Sequence, residues 1–171
     1  MNVTLFMAMT PNGVIARENG DEDFLSHENW KIFCTLARRV GCIIIGRKTH
    51  DAVQQWKDYT FDTVQAKKII VSRKRGTRLG KNCILATSPQ DALQKAHAMG
   101  FHEVLLTGGG ELNSAFMKAG LINEVILNIE PCIVGKGIRV FAQRDFEKKL
   151  TRATVKRIGR GIIQLRYLVD R

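Results

Sequence analysis

Three consecutive glycines, Gly108–Gly110, join an apolar strand pattern to a helical pattern in the segment LLTGGGELNSAF, residues 105–116. Glycine permits a tight turn, and it also lets a ligand approach the backbone amides closely. The helix that begins near Glu111 directs the positive end of its dipole at the same point. The standard dinucleotide fingerprint G-x-G-x-x-G would require glycine at position 113, which is Asn113. The segment therefore predicts a turn that can hold phosphate, with packing alone as the alternative.

A second turn, GRKT at residues 46–49, follows another apolar run. Together with Gly41 it comes close to a phosphate-binding P-loop, but Arg47 intrudes before the lysine. Residues 42–45 (CIII) also have the pattern of a strand rather than of an open loop, so we reject a P-loop. A cationic strand-to-helix turn remains, whose amides and guanidinium can hold phosphate. The alternative is an exposed Arg-Lys pair that caps a helix.

A third polar turn, Ser72-Arg73, follows the apolar run IIV at residues 69–71. In open sheets of parallel strands, ligands bind outside the carboxyl ends of the strands. Three turns suited to phosphate at one sheet edge predict a ligand with several phosphates, such as NADPH.

These turns belong to a chain in which strand and helix patterns alternate. Val3–Met9 predicts a first strand, which a polar loop (PNGVIARENGDED) follows. The later strands are predicted at residues 42–45, 67–72, 83–86, 104–106 and 124–130. Cap and stop residues predict three helices, which run from Ser26 to Gly41, from Ser88 to Gly100 and from Leu112 to Gly120.

The last third of the chain has a different pattern. Two strand-like runs, residues 150–158 and 161–169, flank a hairpin signal at Gly159-Arg160. The pattern predicts an α/β fold with a mainly parallel central sheet, helices on both faces and an antiparallel C-terminal hairpin.

Composition is that of an ordinary globular chain: 171 residues, 44% hydrophobic and 25% charged. We expect residues 1–171 to form a single domain. No apolar run is long enough for a membrane span, and the N-terminus lacks a signal-peptide pattern, so we expect a cytoplasmic protein. The four cysteines form no C-x-x-C pair, which predicts reduced core residues and no metal site; they are Cys34, Cys42, Cys83 and Cys132.

The formal net charge of +11 is compatible with nucleic acid, an acidic membrane surface or a small polyanion. The denser basic stretches are residues 73–81 and the C-terminal third, where Lys148, Lys149, Arg152, Lys156, Arg157 and Arg160 lie. Few aromatic residues interleave with them, so a platform for single-stranded nucleic acid is not favoured. We read most of this charge as a solvated face.

The chain resembles the dihydrofolate reductase superfamily. More closely, it resembles the reductase domain of riboflavin biosynthesis, which is the C-terminal part of bifunctional deaminase–reductases. The similarity covers essentially the whole chain, and its most specific part runs from Gly108 to Phe141. The segments that carry it are MAMTPNGVIA, IIIGRKTHDAV, IIVSRK, LLTGGGELNSAFMKAGLINEVILNIEPCIVGKGIRVF and QLRYLV.

The resemblance implies a dihydrofolate-reductase-like fold and hydride transfer from NADPH. The residues that it implies at the pyrophosphate side are Gly46, Arg47 and Thr49. Those at the adenosine ribose and its 2′-phosphate are Ser72 and Arg73. Those that close over the pyrophosphate and nicotinamide are Gly108, Gly109, Gly110, Glu111 and Leu112. Those on the nicotinamide and substrate side are Met9, Asn12 and Gly13.

The sequence departs from the resemblance in several places. Asn12 stands where the family often has Asp, and the zinc signature of the deaminase is absent. Folate enzymes carry an acidic residue early in the first long helix, and here that position is Glu28 or Asn29. A shielded Glu28 could supply a proton, and its alternative role is to favour the helix dipole. His27 and His50 fall near the expected cleft, with a surface or structural role as the alternative.

These departures favour a ribosylaminopyrimidine phosphate of riboflavin biosynthesis as the substrate. Dihydrofolate or another pterin is the second candidate. A non-catalytic nucleotide- or nucleic-acid-binding domain is the alternative from another class. The resemblance also implies a homodimer, for which the C-terminal strands would offer an edge that needs cover.

Overall fold

The computed structural model describes residues 1–56, 59–74, 79–80, 82–159 and 161–170. The strands are β1 Asn2–Met9, β2 Val14–Ala16, β3 Cys42–Gly46, β4 Lys67–Val71, β5 Cys83–Ala86, β6 Glu103–Leu106, β7 Glu124–Ile129, β8 Ile138–Arg139, β9 Leu150–Gly159 and β10 Ile162–Val169. The helices are α1 His27–Val40, α2 Arg47–Val53, α3 Pro89–Ala98 and α4 Gly110–Lys118, with a short 3₁₀ turn at Phe61–Thr63.

Eight strands form the central sheet in the order β5-β4-β3-β6-β1-β7-β10-β9. The first six are parallel to one another, whereas β10 runs antiparallel to both β7 and β9. The predicted fold class, a mainly parallel sheet with an antiparallel C-terminal hairpin, is therefore confirmed. Of the predicted hairpin signal, Arg160 lies outside the described residues.

The parallel strands are apolar because both of their faces are covered. Cys42–Ile45 is fully buried, and its residues alternate between two cores. On one face Ile44 packs in the core that includes Ala92 and Phe116 of α3 and α4. On the other face Ile43 and Ile45 pack in the core that includes residues of α1 and α2. This alternation places helices on both faces, as predicted.

The predicted helix ends are also present. The Ser26 side chain accepts a hydrogen bond from Asn29 N, and Ser88 accepts one from Asp91 N. Gly41 ends α1 in the left-handed region, with φ of 77°.

One pair of strands was not predicted. Val14–Ala16 is buried and pairs with Ile138–Arg139 in a separate two-stranded sheet. Three apolar residues inside a polar stretch carry too weak a pattern, and their partner lies more than 120 residues further along the chain.

The four cysteines are free, and Cys42 is buried. No helix in the described ranges is long and apolar enough to cross a membrane. Within those same ranges no cluster of three or more His, Cys, Asp or Glu side chains is placed to hold a metal ion.

Candidate functional site

The three predicted phosphate turns lie on three neighbouring strands of the sheet. Gly46 at the end of β3 pairs in register with Val71 of β4, so Ser72 follows directly beside it. On the other side Gly46 N donates a 2.7 Å hydrogen bond to Gly108 O, the first glycine after β6. The structure therefore brings the turns at 46–49, 72–73 and 108–112 together at one edge.

The three glycines of the turn differ in what surrounds them. Gly108 has φ of 88°, and the peptide bond between Gly108 and Gly109 is cis. A Cβ on Gly110 would lie 2.3 Å from Arg139 O, so this position is closed by packing. A Cβ on Gly109 would meet only one atom within 4 Å, Thr49 Oγ1 at 2.9 Å. Gly109 and Thr49 both line the cavity described below.

The helix that follows this turn begins with unused backbone donors. Gly109 O accepts from Leu112 N and Asn113 N. The amides of Gly109, Gly110 and Glu111 donate no hydrogen bond to any part of the chain that the structure describes. The carboxylate of Glu111 is turned to Arg144, with which it forms an ion pair. The N-terminus of α4 thus keeps amides available for an anion.

The cationic residues near these turns differ in exposure and in whether their charge is already paired with a carboxylate. Arg47 forms an ion pair with Asp51 one turn along α2, whereas Lys48 is exposed and lines the cavity. Beside β4, Ser72 is buried and its Oγ accepts from Lys74 N at 3.0 Å. Arg73 is exposed at the same turn. Arg73 and Lys48 are therefore better placed than Arg47 to meet phosphate.

A cavity of about 660 Å³ opens beside the glycine turn. Its lining combines the end of β1, the loop after β2, the start of α1 and the face of α2. The main lining residues are Phe6, Met7, Ala8, Ile15, Ala16, Glu18, Asp21, Glu22, Asp23, Asn29, Trp30, Phe33, Lys48, Thr49, Trp56, Tyr59, Phe61, Thr107 and Gly109.

One wall of the cavity is a cluster of aromatic rings. Trp30 lies at its centre, with ring centroids 5.3 Å from Tyr59, 5.4 Å from Phe33 and 6.3 Å from Phe61. Such tilted rings offer a large, rigid apolar surface on which a flat heterocycle can stack. His50 is buried and stacks on Phe61, and it is not one of the residues that line the cavity.

Behind the cavity lies a chain of buried polar groups. Asn29 Nδ2 donates to Glu130, whose carboxylate also accepts from Ser26 N at 2.7 Å. Asn29 Oδ1 accepts from Asn128 Nδ2 at 2.6 Å, and Asn128 Oδ1 accepts from Gln164 Nε2 at 2.9 Å. These bonds fix Asn29, the buried residue that α1 presents to the cavity in its first turn.

The structure places Glu28 and Asn29 differently relative to the cavity. Asn29 lines the cavity, whereas Glu28 is half-buried and is not part of the described lining. The proton-donor role of Glu28 stays a prediction that this placement does not favour. His27 is exposed, and its Nδ1 lies 2.8 Å from the Tyr59 hydroxyl.

The residues predicted on the substrate side are close to the cavity but do not line it. Met9 is half-buried at the end of β1, and Asn12 donates to Val134 O. Gly13 lies in the tight turn before β2. The wall here comes from Met7, Ala8, Ile15 and Ala16. The sequence pattern located the right strand and loop, but only the tertiary structure shows which of their residues border the cavity.

One cavity residue with unusual chemistry was not singled out from the sequence. Glu22 lies in the loop before α1, in the run GDED. Burial of its carboxyl group raises the pKa to about 8, and the negative charge of Asp21 adds to the effect. A run of three acidic residues in a polar loop predicts only a solvated turn, so this signal needs the tertiary structure.

Comparisons with known proteins agree with this geometry. The family model for the RibD C-terminal domain matches residues 1–164. YwjB of Bacillus subtilis is 26% identical, and the alignment covers 96% of this chain and 95% of YwjB.

Two solved structures show the same fold. A candidate riboflavin biosynthesis protein of Shewanella sp. PV-4 superposes with a TM-score of 0.82 at 22% identity, over the whole of both chains. Dihydrofolate reductase from Enterococcus faecalis, complexed with NADP(H), superposes with a TM-score of 0.76 at 12% identity. That alignment covers 99% of this chain and 97% of the reductase.

The surroundings of Gly109 and Gly110 predict that an added methyl group lowers the stability of the fold by different amounts at the two positions. Gly110→Ala should lower the free energy of unfolding by about 3 kcal/mol, because its methyl group meets the backbone at Arg139. Gly109→Ala should cost only about 1 kcal/mol, because it displaces one Thr49 hydroxyl. Urea unfolding of both variants measures the difference. Equal losses would mean that Gly109 is packed as tightly as Gly110.

Proposed function

We propose, from the premise that this chain belongs to the RibD C-terminal domain family, that it is an NADPH-dependent reductase of a small heterocyclic substrate. The observation that carries the proposal is the position of Gly109 and Thr49. These two residues lie at the phosphate turns and also line the aromatic cavity. A dinucleotide held at the turns can therefore reach the cavity with its nicotinamide end.

The residues at the sheet edge fit the cofactor. The free amides at the start of α4 suit the pyrophosphate, and the absence of a side chain on Gly109 leaves room beside them. Ser72 and Arg73 suit the adenosine ribose and its 2′-phosphate, with Arg73 exposed for the purpose. Arg47 contributes less, since Asp51 already neutralises it. When bound, NADPH supplies the hydride.

The chain's own contribution to the reaction is orientation and shielding. The rings of Trp30, Tyr59 and Phe61 hold a flat substrate on one side. The loop from Glu18 to Ser26 contributes a further wall of the cavity. Reduction by hydride transfer depends on the reacting atoms being held close together and in line, and these walls provide that constraint.

Two substrate classes follow from family membership and resemblance. Family membership and the Shewanella neighbour favour a ribosylaminopyrimidine phosphate of riboflavin biosynthesis. The fold shared with dihydrofolate reductase makes dihydrofolate or another pterin the second candidate. Asn29 occupies the inward-facing position in the first turn of α1. Folate enzymes carry an acidic residue in this region, which recognises the pterin. This favours the pyrimidine class.

Two substitutions test the cofactor site. Arg73→Ala should weaken NADPH binding at least tenfold, about 1.4 kcal/mol, and leave NADH nearly unchanged, because only NADPH carries the 2′-phosphate. Gly109→Ala should weaken both cofactors about tenfold, because they share the pyrophosphate. Calorimetric titration of the folded variants measures the affinities, with Arg38→Ala on the exposed end of α1 as a charge-matched control. An equal loss of NADPH and NADH in Arg73→Ala would remove Arg73 from the site.

The catalytic proposal is tested by NADPH oxidation. We expect turnover with the aminopyrimidine ribosyl phosphate and little or none with dihydrofolate, measured as loss of nicotinamide absorbance. A protein that binds NADPH but oxidises it with neither substrate would support a nucleotide-binding domain. A salt-sensitive shift with DNA or RNA that NADPH does not alter would support a nucleic-acid-binding domain.

We also propose that the protein is a homodimer. Strand β9 forms the outer edge of the central sheet, and its residues are mostly exposed. Val155 on this strand is 68% exposed, and Leu150 is 42% exposed. An edge strand with exposed apolar side chains needs cover. Sedimentation equilibrium at micromolar concentration should give twice the monomer mass, and a species of monomer mass alone would exclude the dimer.

A further inference from the structure

The buried side chain of His50 has one ring nitrogen that the fold leaves without a hydrogen bond. His50 is 4% exposed and stacks on Phe61, with an angle of 7° between the two ring planes. In the part of the chain that the structure describes, its Nδ1 atom is buried and has no hydrogen-bond partner. Buried polar atoms are rarely left in this state, so the unmade bond at Nδ1 requires a reason.

The hydrogen bonds around the ring assign the proton of neutral His50 to this same nitrogen. Gln54 Nε2 lies 3.3 Å from Asp62 Oδ1 and 3.3 Å from His50 Nε2. A carboxylate oxygen can only accept, so the Gln54 atom between the two groups is the amide nitrogen, which donates. His50 Nε2 must then accept. The proton of the neutral ring is therefore on Nδ1, which is a buried donor without an acceptor.

A suitable acceptor lies beside this donor but does not bond to it. His50 Nδ1 is 3.5 Å from Asp51 Oδ1. The other oxygen of the same carboxylate, Oδ2, is bound by Nη1 of Arg47, one turn earlier on α2. One carboxylate thus lies between a guanidinium with which it pairs and an imidazole N–H to which it is not bonded.

Arg47 belongs to one of the three phosphate turns, and Asp51 holds its guanidinium. The side chains of Arg47 and Asp51 are 29% and 44% exposed. An ion pair between partly exposed groups is weak, because water competes with it. A phosphate group offers the guanidinium stronger charge-assisted bonds and can draw it away from Asp51. That movement would leave the Asp51 carboxylate uncompensated close to the bound anion.

We propose that His50 is a positioning residue that takes over the Asp51 carboxylate when Arg47 turns to the pyrophosphate of the cofactor. This proposal rests on the proposed reductase function, because the anion is the pyrophosphate of NADPH. In one state, which the structure shows, Asp51 pairs with Arg47. In the second state Asp51 accepts from Nδ1–H of His50, and Arg47 binds phosphate. The buried bond missing from the first state is made in the second, which offsets the loss of the ion pair.

A purely structural role for His50 is the alternative, and it uses other parts of the same ring. Packing depends on the face that stacks on Phe61, and the bond to Gln54 uses Nε2. The exchange with Asp51 depends on Nδ1 alone. Asparagine can place its amide N–H where Nδ1 lies, whereas the longer glutamine places its amide at the Nε2 end. Asparagine and glutamine at position 50 therefore separate the two roles.

Cofactor affinity tests the exchange. His50→Gln should weaken NADPH and NADH equally, by about tenfold, because both carry the pyrophosphate and Asp51 loses its second donor. His50→Asn should recover most of this affinity. Calorimetric titration measures both variants once urea unfolding shows them to be folded, with His97→Gln in the exposed last turn of α3 as the matched control. Equal losses in His50→Gln and His50→Asn would show that His50 acts through packing and would overturn the proposal.

Asp51→Asn supplies the second half of this test, because it removes the carboxylate through which His50 acts. It should release Arg47 and strengthen the binding of both cofactors about threefold. In this background His50→Gln should cause no further loss, since no carboxylate is left to take over. A structural effect of His50→Gln would persist in the double variant and would contradict the proposal. Asp170→Asn, exposed at the opposite edge of the sheet, is the charge-matched control.

A measurement without cofactor separates this proposal from the reductase function. In Arg47→Ala the Asp51 carboxylate has lost its cation, so Nδ1–H of His50 should donate to it. The ¹H resonance of this N–H, identified by its loss in His50→Gln, should move downfield relative to the native protein. No movement would reject the exchange, even with normal NADPH binding. Movement in Arg47→Ala, together with a native protein that does not bind NADPH, would reject the reductase function and leave the exchange of Asp51 standing.

Discussion

The close approach of two backbone turns is the contact on which this site depends. Gly46 N and Gly108 O are 2.7 Å apart, and a side chain on Gly46 would lie 3.3 Å from that same oxygen. Because both turns lack side chains at the contact, the ends of β3 and β6 can meet. Their meeting places the start of α4 beside Thr49 and opens the cavity to the sheet edge. Other residues of the site are arranged around this junction.

The cavity has a charge that the composition does not suggest. The chain carries a formal net charge of +11, yet its cavity lining has four carboxyl groups and one lysine in the ranges described. Two of those carboxylates are neutralised by Arg17 and Lys136. The surplus positive charge lies elsewhere, including Lys156 and Arg157 on the exposed strand β9. A phosphate group would thus find its partners at the three turns rather than deep in the cavity.

The buried polar chain behind the cavity explains why an amide can occupy the inward position of α1. Asn29 is bonded to Glu130 on one side and to Asn128 on the other. A buried polar group without a hydrogen-bond partner lowers the stability of the fold. Loss of any one of these side chains would therefore leave its neighbours buried and unpaired. The carboxylate of Glu130 already accepts hydrogen bonds from Asn29 and Ser26.

The sequence by itself determined the strands of the central sheet, helices α1, α3 and α4, the caps at Ser26 and Ser88, and the three turns at the sheet edge. These follow from local patterns: apolar runs, periodicity, and glycine at element ends. It could not determine which residues face the cavity. Met7 and Ile15 line it, whereas Met9 and Gly13 do not, because the bordering positions depend on which distant elements pack around these segments. The state of Glu22 was also decided by tertiary structure, since desolvation of a carboxyl group arises only when distant elements enclose it.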